Sequence, residues 1–129
     1  MKIEHIAMWV KDIEGQKSFY EKYFDARAGA IYVNTKKNFT SYFLTFADGP
    51  RLELMHRPDV PNNANDVHDQ YTGLIHFAVS TGSKERVDAL TNQMKDDGFE
   101  ILDGPRTTGD GYYESVVLDP EGNRIELTI

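Results

Sequence analysis

The fold is decided by Glu121–Ile129, which has the sequence EGNRIELTI. A turn is followed by a segment in which polar and apolar residues alternate, and this alternation predicts a β-strand. Its unusual feature is Glu126, a carboxylate flanked by Ile125 and Leu127. The same pattern occurs 73 positions earlier, where Glu53 stands in the sequence DGPRLEL. A duplicated motif of this kind indicates an internal repeat that involves the whole fold.

A second pair of segments supports the repeat. The sequence EHIAM at Glu4–Met8 resembles IHFAV at Ile75–Val79, which places His5 and His76 71 positions apart. Each half of the chain therefore holds one histidine near its start and one glutamate near its end. We interpret the chain as a single domain over residues 1–129, with one module at about 1–57, a linker at about 58–71 and a second module at about 72–129.

Hydrophobic periodicity predicts the same element order in both modules. Asp12 and Ser83 are suitable helix N-caps, and the two helices that follow them are expected to reach about Phe24 and Gly98. Each module then has the order strand, helix, strand, strand, strand, which predicts an α+β fold built from two tandem βαβββ modules. The predicted strands are Lys2–Val10, Ile31–Val33, Thr40–Phe46, Arg51–Met55, Gly73–Ser80, Phe99–Leu102, Glu114–Leu118 and Arg124–Thr128.

Composition narrows the functional classes. The net charge of −7 argues against a nucleic-acid partner, because phosphate binding needs a basic surface. The absence of cysteine excludes disulfides, thiolate metal sites and a cysteine nucleophile. No apolar run is long enough to span a membrane, and the first residues lack the apolar core of a signal peptide. We therefore expect a soluble, cytoplasmic protein with no nucleic-acid or membrane partner.

Four residues of the repeat point to metal chemistry. Any one of them alone would be read as a hydrogen-bonded core histidine or an edge glutamate. Together they repeat the same residue type at the same place in each module, and two ionised carboxylates inside a protein need a cation between them. Two imidazoles and two carboxylates suit a divalent ion such as zinc, nickel, cobalt, iron or manganese. The predicted metal ligands are His5, Glu53, His76 and Glu126.

The doubled module and the segment Asp119–Glu126, DPEGNRIE, resemble the vicinal oxygen chelate superfamily. That superfamily includes glyoxalase I, bleomycin-resistance proteins, extradiol dioxygenases, fosfomycin-resistance enzymes and methylmalonyl-CoA epimerase. The four predicted ligands are most similar to those of bacterial glyoxalase I. The resemblance implies that the strands form a cupped mixed sheet around one divalent metal ion, with nickel, cobalt or zinc favoured. It also implies a homodimer with a small-molecule substrate, in which the metal site is shared between chains. The length and polarity of the linker permit either that arrangement or a closed monomer.

The resemblance implies a metal-dependent lyase or isomerase of the lactoylglutathione lyase type. Such an enzyme converts the hemithioacetal of a 2-oxoaldehyde through a metal-bound enediolate. A ligand carboxylate moves the proton between neighbouring carbons. Glu126 is the first candidate for this catalytic base, and Glu53 is the second.

Two further residues are candidates for substrate binding. Glyoxalase I enzymes carry an arginine four residues after the first histidine, where it holds a carboxylate of glutathione, whereas this chain has Trp9. Trp9 would make the pocket wall more apolar, which counts against glutathione as the thiol. Arg106 opens a Gly- and Thr-rich loop, Arg106–Gly111, that we expect to be a mobile lid. Its guanidinium is either a contact for an anionic substrate or an ordinary solvated group.

Two other functional classes stay open. One is another enzyme of the superfamily, such as a dioxygenase or a thiol transferase. Dioxygenases of the superfamily use two histidines and one glutamate, so either Glu53 or Glu126 would be surplus. The other is a non-catalytic binding or resistance protein, which would not need four metal ligands.

Overall fold

The computed structural model describes residues 1–129, which divide into two compact units, Met1–Asn63 and Ala64–Ile129. Each unit consists of one helix and one mixed β-sheet. The elements of the first unit are β1 (His5–Trp9), α1 (Ile13–Phe24), β2 (Arg27–Ala28), β3 (Tyr32–Asn34), β4 (Phe39–Thr45) and β5 (Arg51–His56). Those of the second unit are β6 (Phe77–Ser80), α2 (Lys84–Asp96), β7 (Ile101–Thr107), β8 (Tyr113–Leu118) and β9 (Arg124–Thr128).

The two sheets follow the same topology. In the first unit the strand order is β1-β5-β4-β2, and β3 also pairs with β4. In the second unit the order is β6-β9-β8-β7. The first and last strands of each unit, β1 with β5 and β6 with β9, are parallel neighbours, while the other pairs are antiparallel. The residues of each first strand therefore lie beside those of the last strand.

One face of the first sheet is covered by α1. Asp12 caps this helix by accepting a hydrogen bond from the Gly15 amide at 2.9 Å, which satisfies an amide that has no partner within the helix. Asp25 ends the helix in the left-handed conformation, with φ of 53°. Alternation along the strands brings the buried apolar residues to the helix side. The core residues of this unit are Val10, Phe19, Tyr20, Tyr23, Ala26, Tyr42, Leu44, Leu52 and Leu54.

The second sheet is covered by α2 in the same way. Ser83 caps the helix by accepting a hydrogen bond from the Arg86 amide, and the helix packs against β7, β8 and β9. The hydroxyls of Thr91 and Ser115, both buried, are 2.6 Å apart and share a hydrogen bond between helix and sheet. The apolar core consists of Val87, Met94, Val117, Leu118, Ile125 and Leu127.

The turn before β9 is held by a buried carboxylate. Asp119 accepts hydrogen bonds from the amides of Glu121 and Asn123 and from the Asn123 side chain, at 2.8–2.9 Å. Arg124, the first residue of β9, donates from its guanidinium to the carbonyl oxygens of Val67 and Asp69. These bonds fix the start of the strand that carries Glu126.

Neither α1 nor α2 is long and apolar enough to cross a membrane.

The predicted α+β fold with two similar modules is confirmed, and several boundaries are corrected. The first unit has an additional short strand, Arg27–Ala28, so its helix is followed by four strands rather than three. The predicted strand Gly73–Ser80 begins only at Phe77, because its pairing with β9 begins there. The predicted strand Phe99–Leu102 instead spans Ile101–Thr107, and two register irregularities let it continue.

We predict that Gln16→Leu stabilises the protein. Gln16 of α1 is 1% exposed, and neither its side-chain oxygen nor its nitrogen has a hydrogen-bond partner. A buried amide without partners costs about 1–3 kcal/mol, so its replacement by an apolar side chain of similar size should raise the free energy of unfolding by that order. Urea denaturation, monitored by circular dichroism, measures the change in the free energy of unfolding.

The matched control is Thr91→Val, which changes a buried polar residue of the other helix that does have a partner. It removes the hydrogen bond that the hydroxyl donates to the Val87 carbonyl oxygen and the bond that it shares with Ser115, so we expect a loss of about 1–2 kcal/mol. A lower urea midpoint for Gln16→Leu would contradict the assignment of Gln16 as a destabilising buried amide.

Candidate metal and catalytic site

The first of two histidine–glutamate pairs lies on the open face of the first sheet. In the parallel ladder Ala7 stands opposite Glu53, and His5 precedes Ala7 by two residues. The side chains of His5 and Glu53 therefore project from the same face of the sheet, the one away from α1. His5 Nε2 is 3.9 Å from Glu53 Oε2. The His5 side chain is 40% exposed and that of Glu53 is 14% exposed. His5 is therefore not a core histidine, because solvent reaches its ring.

The second pair repeats this arrangement in the second unit. Ala78 stands opposite Glu126 in the β6–β9 ladder, and His76 precedes Ala78 by two residues. His76 Nε2 is 3.2 Å from Glu126 Oε2, and the side chains are 37% and 17% exposed. His76 lies just before β6 rather than inside it, contrary to the predicted strand. Its side chain nevertheless reaches the same carboxylate as its counterpart in the repeat.

The four predicted ligands thus occur as two equivalent pairs, one in each unit. Each pair brings an imidazole nitrogen near a carboxylate oxygen, and these are donor types that borderline divalent metals accept. Within the structure no group of three or more His, Cys, Asp or Glu side chains is placed to hold a metal ion. One pair alone supplies two protein ligands.

The surroundings of the first pair are aromatic and basic. Phe43 stands opposite Glu53 in the β4–β5 ladder and meets the His5 ring edge-on, with 5.4 Å between ring centroids. The Arg51 guanidinium lies 4.1 Å above the centre of the Phe43 ring. Glu4 accepts a hydrogen bond from His5 Nδ1 and pairs with Arg51, and these contacts lower the pKa of the Glu4 carboxyl below its usual value.

The surroundings of the second pair are acidic. Glu114 of β8 lies on the same face as Glu126, since Val116, two residues further on, stands opposite Glu126. Burial, followed by the negative charge of Glu126, raises the pKa of Glu114, and Arg106 opposes this shift. Sequence reasoning missed Glu114 and Glu4. Alternation along β8 is the signal that would have identified Glu114, once its register with β9 was known.

The structure changes the expectation for Arg106. This residue lies in β7, not in a loop, so the predicted lid Arg106–Gly111 begins inside a strand. Its guanidinium contacts Asp103 at 2.6 Å and Glu114 at 3.6 Å, and its hydrogen bond lowers the pKa of the Asp103 carboxyl. Both carboxylates hold Arg106 on the face that carries Glu126. An anionic substrate would have to compete with them.

Trp9 lies on the open face of the first unit, as alternation along β1 requires. It is 42% exposed and meets the Phe39 ring edge-on at 6.0 Å between centroids. Phe39 also contacts Tyr32 of the short strand β3, at 6.1 Å, and the Arg57 guanidinium lies 5.5 Å from the Trp9 ring centre. Trp9 follows His5 by four residues on the same face, so it forms an aromatic wall about 13 Å further along the strand.

Comparison with known proteins gives a consistent family assignment. Two metallothiol transferases FosB are similar to this chain over 97% of its length. The protein of Bacillus licheniformis is 32% identical over 126 residues, and the match covers 73% of that protein. The protein of Lysinibacillus sphaericus is 30% identical over 125 residues, and the match covers 79% of that protein.

Solved structures show the same fold. A glyoxylase/bleomycin resistance protein/dioxygenase domain from Frankia sp. EAN1pec has a TM-score of 0.82 at 14% identity, covering 100% of this chain and 97% of its own. A glyoxalase family protein from Enterococcus faecalis has a TM-score of 0.79 at 22% identity, covering 99% and 97%. A family profile matches residues 2–127. The chain therefore belongs to the Glyoxalase/Bleomycin resistance protein/Dioxygenase superfamily.

Proposed function

We propose that this protein is a metal-dependent lyase or isomerase of the glyoxalase I type, acting on the hemithioacetal of a 2-oxoaldehyde. The observation that supports the proposal is the pair of equivalent histidine–glutamate contacts, His5 with Glu53 and His76 with Glu126. A protein that only binds a small molecule has no use for two such pairs. A dioxygenase site with two histidines and one glutamate would leave one of the two glutamates without a role.

The donor chemistry of these residues fits one divalent ion, with nickel, cobalt or zinc favoured. Both histidines direct Nε2 at a carboxylate oxygen, and both glutamates are largely buried within their sheets. A buried carboxylate is stabilised by a cation more strongly than a solvated one, because solvent screens it less. When bound, the ion supplies a Lewis acid for the two neighbouring oxygens of the substrate.

Proton transfer in this proposal falls to Glu126, with Glu53 as the second candidate. Glu126 is the centre of β9, and its neighbours Ile125 and Leu127 are fully buried, so its carboxylate is held in a fixed position. It takes the proton from the carbon that bears the hydroxyl and the sulfur. It returns the proton to the neighbouring carbon, which was the ketone. The hydroxyl proton of the first carbon passes to the former ketone oxygen, and the product is a thioester of a 2-hydroxy acid. This isomerisation needs no oxidant or reductant.

Thiol transfer is the second candidate function. It is supported by the 32% and 30% identity to metallothiol transferases. In that reaction a thiol sulfur forms the new bond to a carbon of the substrate, the bond from that carbon to its leaving group breaks, and the leaving group takes up the thiol proton. No proton moves between carbons. Glu53 and Glu126 would then act only as ligands. Trp9 adds an apolar surface under either reaction and favours a thiol other than glutathione.

We predict that Glu126→Gln strongly lowers kcat for the methylglyoxal hemithioacetals of glutathione and of other low-molecular-weight thiols. Removal of a general base lowers kcat by about 10²–10⁴-fold. Glu53→Gln should lower metal content and activity as well. Elemental analysis and a spectrophotometric thioester assay provide the two measurements.

The matched control is Glu100→Gln. Glu100 also faces a histidine, His68, at 3.7 Å in the second unit, but both side chains are more than half exposed. We expect neither metal content nor turnover to change. Wild-type protein that binds no nickel, cobalt or zinc after reconstitution would overturn the proposed metal site. Bound metal with thiol transfer but no isomerisation would favour the second candidate.

We further propose a homodimer whose metal site takes His5 and Glu53 from one chain and His76 and Glu126 from the partner. Light scattering of the metal-bound protein should then give twice the mass of one chain. Coexpression of a chain lacking the first pair with a chain lacking the second would form heterodimers with one intact site. Activity recovered on mixing two inactive variants supports a shared site, whereas two variants that stay inactive together contradict it.

A further inference from the structure

We infer that Glu4 and Arg51 are positioning residues that hold His5 with Nε2 free to act as a ligand. This inference rests on the proposed metal site and goes beyond it, because neither residue is among the four ligands. Both residues belong to the first unit, as does His5.

Four side chains contact one another in a closed cycle that includes the histidine: His5, Glu4, Arg51 and Phe43. His5 Nδ1 is 2.5 Å from Glu4 Oε2, and Arg51 donates to the other oxygen of the same carboxylate at 2.5 Å. The Arg51 guanidinium stacks on Phe43, and the Phe43 ring meets the His5 ring edge-on, with an angle of 86° between the planes. Each member of the cycle therefore contacts two others.

The backbone fixes two members of this cycle. The Arg51 amide donates to the Glu4 carbonyl oxygen at 3.1 Å, and Arg51 stands opposite His5 in the β1–β5 ladder. Glu4 lies just before the strand, so its side chain is not subject to strand alternation and can reach the ring of the next residue. The main-chain bond between Glu4 and Arg51 holds the start of β1 beside the start of β5, and the Glu4 carboxylate lies between Nδ1 of His5 and the Arg51 guanidinium.

The chemistry of imidazole makes this placement consequential. A neutral imidazole carries one N–H and one lone pair, and an ionised carboxylate can only accept hydrogen bonds. Glu4 therefore favours the tautomer with the proton on Nδ1, which leaves the lone pair on Nε2, the atom that faces Glu53. A carboxylate behind a ligating histidine orients the ring and increases its basicity. Arg51 pairs with the other oxygen of the Glu4 carboxylate and holds it in place.

The second unit lacks this arrangement, although the repeat has an arginine at the corresponding position. Arg124 precedes Glu126 by two residues, as Arg51 precedes Glu53, but it donates to the carbonyls of Val67 and Asp69. The residue before His76 is Ile75, whose side chain has no hydrogen-bond acceptor. The positioning role is therefore specific to His5.

The test is the tautomer of His5 in the full-length, metal-free protein. Long-range 1H–15N correlation spectra distinguish Nδ1–H from Nε2–H, and they are recorded at a pH where imidazole is neutral. We expect Nδ1–H for His5 in the wild type and a mixture in Glu4→Ala. Glu4→Gln keeps an acceptor oxygen and should partly restore the wild-type tautomer.

Metal affinity gives the second readout. In competition titrations with zinc, Glu4→Ala should raise the dissociation constant by about 10–100-fold, and Arg51→Met should raise it less. Asp59→Asn is the matched control, because Asp59 also pairs with an arginine of the first unit, Arg57, but does not contact His5. We expect it to change neither the tautomer nor the affinity.

The positioning role of Glu4 and the metal site itself are contradicted by different results. An Nε2–H tautomer for wild-type His5, or an unchanged tautomer in Glu4→Ala, would overturn the positioning role even if the protein binds metal. Unchanged zinc affinity in Glu4→Ala would overturn it as well. Protein that binds no metal but shows the Nδ1–H tautomer lost in Glu4→Ala would retain the contact and remove the metal site.

Discussion

The structure depends on the parallel pairing of the first and last strands in each unit. Because β1 lies beside β5 and β6 beside β9, each histidine is brought to the glutamate of its own module. The register is fixed by burial on the opposite face, where Leu52, Leu54, Ile125 and Leu127 form part of the core. A slip of one residue would turn Glu53 or Glu126 into that core without a partner, at a cost of several kcal/mol.

Much of this arrangement could be predicted from the chain because it depends on alternation and repetition. The strand Arg124–Thr128 has the predicted bounds, and the sheet face of Glu126 follows from its two apolar neighbours. The missed features depend on partners far away in the sequence. Gly73–Ile75 looks like the start of a strand but has no partner in β9, whereas Arg27–Ala28 forms a strand only because β4 pairs with it. The contact of Glu4 with His5 was missed because neighbouring residues of a strand normally face opposite sides.

The two halves have kept the same backbone geometry and developed different surroundings. The first histidine lies among Glu4, Arg51 and Phe43, which hold its ring. The second pair lies beside Glu114 and Arg106, which form a network of charges. The two pairs therefore differ in the charge and the aromatic character of their surroundings, although their strand pairing is the same.

The position of Trp9 also has a spectroscopic consequence. It is the single tryptophan of the chain, it is partly exposed to solvent, and it stands on the same strand face as His5. Indole emission depends on the polarity of its environment, so the indole part of the protein's fluorescence comes from one known place on the first sheet. The protein therefore carries a built-in optical probe of that face, while the second unit, which has no tryptophan, contributes no indole signal.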